Sequence, residues 1–148
     1  MENQILFLCT GNYYRSRFAE AVFNYHAIKR GLPWRAFSRG LAIHLVEGPI
    51  SEHTVAALAA REIELEHTAP ERQQVADEDL RRAKLTIALK KDEHLPLMRL
   101  LHAEWADKIV YWDIHDLDFA QPEEALPAIE GRVLALLEGI SVGMGVKG

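Results

Sequence analysis

At 148 residues, 49% of them hydrophobic and 26% charged, the chain is long enough to bury one core and needs no second domain. A formal net charge of −5 argues against a general nucleic-acid binder, and a single cysteine excludes an intramolecular disulfide framework. A free thiol suits a reducing compartment, no basic leader precedes the first apolar run, and no apolar stretch could span a bilayer. The expectation is a soluble cytoplasmic protein, one domain over residues 1–148 with 141–148 a frayed tail.

Gln4 to Leu8 is a continuous apolar run of the kind found in a buried parallel strand. It delivers the stretch Cys9-Thr10-Gly11-Asn12-Tyr13-Tyr14-Arg15-Ser16, in which five residues separate the cysteine from an arginine and a serine follows directly. With Gly11 and Asn12 able to take left-handed backbone angles, such a loop can curl until the N–H groups of Thr10 to Ser16 face one anion. The helix that opens behind it adds its positive end. Arg15 can grip two phosphoryl oxygens at once, a geometry closed to lysine. In that setting a cysteine thiol drops from about 8.5 to roughly 3.5–7.5, so Cys9 is expected to be a thiolate able to attack phosphorus. The Ser16 hydroxyl is placed to steady the sulfur as it leaves. The plainer alternative is a core cysteine followed by an arginine through coincidence; the glycine signatures of nucleotide-binding loops are absent from this stretch. The pattern therefore points to cysteine-dependent phosphatase chemistry.

Helical spacing runs from Arg15 to Arg30, and Gly31 and Pro33 end it. Trp34 to Ser38 reads as a second strand, and Pro49 and Ser51 open a helix carrying Val55, Leu58 and Ala59. Ile63 to Ala69 fits neither period well, and a short helix follows from Ala76 to Arg82. Lys84 to Leu89 is the third strand. Asp92 is the expected cap of the next helix, with Pro96 in its first turn and Leu97, Leu100 and Leu101 as its core face. Lys108 to Trp112 is the fourth strand, and a polar loop from Asp113 to Gln121 leads to a last helix with the stripe Ile129, Val133, Leu136, Leu137 and Ile140. Strand and helix alternate four times, the signature of a parallel sheet covered on both faces. Ligands of such sheets bind beyond the carboxyl ends of the strands, where the Cys9 loop and the Asp113 to Asp118 loop both emerge.

On these residues the chain resembles the low-molecular-weight protein tyrosine phosphatase family, whose fingerprint Cys-x-Gly-Asn-x-x-Arg-Ser is matched by Cys9, Gly11, Asn12, Arg15 and Ser16. The resemblance implies an α/β three-layer sandwich with a four-stranded parallel sheet in the order 2-1-3-4. It implies Cys9 as nucleophile, Arg15 as phosphate ligand, Ser16 as thiol stabiliser and Asn12 as the residue that holds the loop in shape. Ser38, opening the counterpart of a second family landmark, and His67, as brace of the loop asparagine, complete the implied support. The family's general acid falls on Asp116, with Leu117 where proline is usual and with Asp113 or Asp118 as fallbacks. Lys90 stands where the family has an aspartate, and Tyr14 where it has a second cysteine, so an oxidised Cys9 has no internal partner.

The implied activity is hydrolysis of protein phosphotyrosine or small aryl phosphates through a cysteinyl phosphate, without metal or cofactor, by a monomer with no nucleic-acid or membrane partner. Two alternatives remain at this level: a phosphate-binding pseudophosphatase with a degenerate acid loop, and an arsenate reductase-like enzyme drawing on an external thiol. Tyr13 and Phe119 are the expected walls for an aromatic substrate ring, and Arg17, Arg39, Lys90 and Lys91 are expected to make the mouth basic. His53, His94 and His102 read as surface residues.

Overall fold

The apolar run at the N-terminus forms β1, Asn3–Cys9, which pairs in parallel with a strand on each side. The computed structural model describes residues 3–114 and 120–141. Among them β2 is Trp34–Gly40, β3 is Leu85–Ala88 and β4 is Val110–Tyr111, in the sheet order β2-β1-β3-β4. Every neighbouring pair is parallel. The helices are α1, Arg15–Lys29; α2, Glu52–Ala60; α3, Asp77–Arg82; α4, Lys91–Leu101; and α5, Pro122–Ser141. The α/β architecture and strand order are those expected from the sequence.

The alternation of side chains along β1 divides the core in two. Ile5 and Phe7 face α1 and α5, packing with Phe18, Val22, Phe23, Ile129, Val133 and Leu137. Leu6 and Leu8 face the other way, with Leu80 of α3 and Met98 of α4. Burying each such side chain is worth about 1.5–3 kcal/mol, so β1 is pinned from both faces and its carboxyl end is a rigid platform. No helix among the described residues is long and apolar enough to cross a membrane.

Several details depart from the sequence expectation. Lys90, not Asp92, is the residue before α4, and its backbone N–H donates to His94 Nδ1 at 3.0 Å. Pro96 consequently lies in the second turn of α4. The inward face of α4 is His94 and Met98, while Leu100 and Leu101 are exposed. A polar residue holds the place expected of a leucine because the first turn of α4 abuts the loop at Cys9 rather than apolar core. The fourth strand keeps only two paired residues, as befits a sheet edge, and is prolonged by one antiparallel bridge between Lys90 and Asp113. The ambiguous stretch from Ile63 to Ala69 holds a short 3₁₀ turn, Leu65–His67.

Candidate active site

From Cys9 to Tyr14 the loop's carbonyl oxygens are gripped from outside. Leu41 N donates to the Cys9 carbonyl at 2.9 Å, Ala42 N to that of Thr10 at 2.9 Å and Ser51 N to that of Tyr13 at 2.9 Å. Arg72 Nη1 reaches the Gly11 carbonyl at 2.9 Å, Arg17 Nη1 the Asn12 carbonyl at 3.5 Å, and Thr54 Oγ1 the Tyr14 carbonyl at 3.0 Å. The chain has no cis peptide among its described residues, and in a trans peptide the N–H points opposite to the preceding C=O. The N–H groups of residues 10 to 15 are therefore turned inward, toward the pocket. Helix α1 opens at Arg15 with no side-chain cap and no acidic residue in its first turn, so its positive end faces the same space.

Asn12 alone in the loop takes a left-handed angle, φ 51°. Gly11 does not, contrary to expectation. It is glycine for another reason: a Cβ there would lie 2.4 Å from Cγ2 of Val46. The Asn12 side chain ties the loop to its surroundings, donating to Ser16 Oγ at 3.0 Å and Ser38 Oγ at 2.9 Å and accepting from Gln73 N at 2.8 Å. Ser16 Oγ stands 2.9 Å from Cys9 Sγ. The sequence-assigned residues Cys9, Asn12, Arg15, Ser16 and Ser38 are thus brought together.

His67 is not. Its ring packs edge-on against Tyr25, with centroids 5.8 Å apart, and the neighbouring Thr68 reaches the loop's support instead. Arg17, fully buried, donates through Nε to Thr68 Oγ1 at 2.7 Å and through Nη2 to the Ala69 carbonyl. Thr68 and Ser38 both donate to Glu20 Oε1, at 2.7 and 2.6 Å. Burial pushes the Glu20 carboxyl up, only partly opposed by hydrogen bonds from Ser38 and Thr68 and by the Arg17 charge, and it pushes the Arg17 guanidinium down, only partly opposed by the Glu20 charge. The Arg17 fork, between Thr68 and the Asn12 carbonyl, thus supports the loop asparagine from the side where the histidine was expected.

That placement also corrects the expected basic mouth. Arg17 lies under the loop, Arg39 pairs with Asp79 at 3.2 Å and lies over the Phe37 ring, and Lys90 is buried 3.6 Å from Asp113. Of the four only Lys91 is exposed.

Two residues that the sequence reading missed complete the site. Glu93 Oε2 accepts from Arg15 Nη2 at 2.7 Å and from the Thr10 hydroxyl. Arg15 Nη1 donates to the Ile114 carbonyl at 2.9 Å, so two acceptors from distant segments fix the guanidinium. Burial opposes ionisation of Glu93, but hydrogen bonds from His94, Arg15 and Thr10 outweigh it and hold the carboxyl well below the usual range. His94, fully buried, accepts the Lys90 N–H at Nδ1, which leaves Nε2 to carry the proton toward Thr10 Oγ1 at 3.2 Å and Glu93 Oε2 at 3.1 Å. Its place four residues after Lys90, on the inward side of the first turn, is the signal that could have found it.

The resulting pocket, of about 290 Å³, has Cys9, Thr10, Gly11 and Arg15 at its base, with Glu93 beside them and Tyr13, Tyr14, Leu45 and Val46 as walls. Tyr13 therefore stands where a wall was expected. Asp116 and the second expected wall, Phe119, lie outside the described residues, as do Leu117 and Asp118. No group of three or more His, Cys, Asp or Glu among the described residues is placed to hold a metal ion.

Comparison with known proteins agrees with this geometry. A profile of the family described as Low molecular weight phosphotyrosine protein phosphatase matches residues 4–128. Among solved structures, a low molecular weight protein tyrosine phosphatase from T. tengcongensis is similar at 26% identity and a TM-score of 0.78, over 93% of this chain and 99% of that one. YfkJ from Bacillus subtilis is similar at 25% identity and a TM-score of 0.82, over 95% and 96%. The YwlE arginine phosphatase, at 21% identity and a TM-score of 0.78 over 97% and 99%, shares the fold. No curated protein matches the chain closely enough to count as a relative.

Proposed function

Since the chain belongs to the low molecular weight phosphotyrosine protein phosphatase family, we propose that it hydrolyses phosphate monoesters at Cys9, with protein phosphotyrosine or small aryl phosphates as substrates. The observation that carries the reading is the Cys9 sulfur, 2.9 Å from the Ser16 hydroxyl at the base of a loop whose carbonyls are all drawn outward. An anion lodged there meets inward N–H groups, the open end of α1 and Arg15, the preorganised donors that phosphoryl transfer requires.

In the first step the Cys9 thiolate forms a sulfur–phosphorus bond as the phosphorus–oxygen bond to the leaving group breaks. Asp116 gives its proton to the departing oxygen. In the second step water attacks phosphorus, its proton passes to the Asp116 carboxylate, and sulfur leaves as thiolate with the Ser16 hydroxyl hydrogen-bonded to it. Support for Asp116 comes from a residue before it: the Ile114 carbonyl accepts from Arg15, and Asp116 follows Ile114 by two positions in the sequence. Tyr13, Leu45 and Val46 offer a flat apolar approach suited to an aryl group. An unpaired thiol as nucleophile suits a monomer working in the reducing cytoplasm.

Steady-state hydrolysis of an aryl phosphate tests the reading. Cys9→Ser should abolish turnover, and Asp116→Asn should lower kcat by about 10²–10⁴-fold, the range for a lost general acid. A wild-type protein that binds phosphate and turns nothing over would establish a binding module instead. Thiol consumption that depends on arsenate would establish redox chemistry.

A further inference from the structure

Beyond the nucleophile and its ligands, the apolar side of the pocket is built from Tyr13, Tyr14 and the segment 41–48, which lacks regular structure except for one 3₁₀ turn, Ile43–Leu45. Its tip meets the substrate space: Leu45 and Val46 line the pocket, and Leu45 is 67% exposed at the rim. A segment of this kind has no ladder of its own to hold it. Its backbone is held largely by side chains of the strap at residues 72–74. Gln74 donates to the Leu41 carbonyl at 2.7 Å and accepts from Ile43 N at 3.1 Å.

Arg72 contributes most. Its Nε donates to the Gly48 carbonyl at 2.7 Å, Nη1 to the Ile43 carbonyl at 3.0 Å and Nη2 to the Val46 carbonyl at 2.8 Å. The same Nη1 holds the Gly11 carbonyl of the phosphate loop at 2.9 Å. One planar fork thus joins the wall that would face a leaving group to the loop that would hold the phosphate, and it closes the gap so far that Gly11 has no room for a Cβ against Val46. Such a span needs several donors in a fixed plane, which guanidinium has and ammonium lacks.

We propose that Arg72 is a specificity-determining residue: by clamping Leu45 and Val46 against the phosphate loop it gives the site its preference for aryl over alkyl phosphates. The inference rests on reading the site as a phosphate monoester pocket. It assigns Arg72 a positioning role, exerted through the wall, and no contact with the reacting atoms.

Equilibrium binding of phenylphosphonate, methylphosphonate and inorganic phosphate, followed by calorimetry, separates the wall from the anion site without calling on turnover. The wild type should bind phenylphosphonate more tightly than methylphosphonate. In Arg72→Met all three ligands should weaken, because the Gly11 carbonyl loses its donor, but phenylphosphonate should lose about tenfold more affinity than methylphosphonate or phosphate. Arg72→Lys keeps the charge and is the milder change for folding; it should show the same selective loss, because one ammonium cannot serve four carbonyls at once. Loss of all three ligands in equal proportion would make Arg72 a support of the phosphate loop alone and overturn the proposal. So would unchanged selectivity in both variants, full rescue by lysine, or a wild type indifferent to the phenyl group. A wild type with the expected selectivity but no turnover would count against the catalytic reading and leave the clamp standing.

Discussion

Glu93 is a carboxylate set beside the guanidinium that the proposed chemistry reserves for phosphate, and its ionisation is secured by three donors. His94, Arg15 and Thr10 keep it charged despite partial burial. The effect on stability follows from the depressed value. The contribution is fully present above the ordinary glutamate value of about 4.3 and is lost as the pH falls toward the depressed folded-state value. Urea unfolding at pH 7 and at pH 3 should therefore show a larger loss of stability for the wild type than for Glu93→Gln, which cannot titrate. Equal losses in the two proteins would show that Glu93 is not held ionised by these partners. The acid Glu20 behaves in the opposite sense, since its carboxyl is raised by burial, and it does not add to this acid limb.

At the level of elements, the end of β2 matters as much to the site as the loop it supports. Gly40 pairs with Cys9 across the sheet and forms a bridge to Gln74. A Cβ on Gly40 would stand 2.6 Å from Ile43 Cγ2, 2.8 Å from the Thr10 carbonyl oxygen and 2.9 Å from Asn12 N. Two of those are backbone atoms of the phosphate loop and cannot yield without moving it. Gly40→Ala should cost about 1–3 kcal/mol in chemical denaturation, the usual range for overpacking, and should weaken phosphate binding as well. Gly131 provides the control, since nothing lies within 4 Å of its Cβ position on α5. There the same replacement should stabilise by roughly 0.5–1 kcal/mol through helix propensity. A Gly40→Ala protein as stable as the wild type would contradict the packing described.

Across the whole molecule, what the sequence disclosed was whatever depends on short-range pattern. The continuous apolar run of β1, the helical stripe of α5 and the spacing from Cys9 to Ser16 each carry their own period or chemistry, and the fold follows from their alternation. Position on a buried surface was less legible. Arg17 reads as a surface cation from its neighbours along the chain, yet Thr68 and Asn12, far off in sequence or hidden in the loop, give it an interior fork site. His94 and Glu93 escaped because α4 begins two residues earlier than the Asp92 cap suggested, which turns a different face inward. His67 and Thr68 are adjacent, and only the backbone path through the Leu65–His67 turn decides which of them points at the loop.

The account as a whole depends on Cys9 sitting inside an anion site, and the chain's single cysteine makes that directly measurable. The rate of alkylation by iodoacetamide at neutral pH, read by intact mass, should fall in a saturable way as phosphate or vanadate is added, and Arg15→Ala should abolish the protection. Alkylation that proceeds at one rate whatever the concentration of either oxyanion would contradict the account.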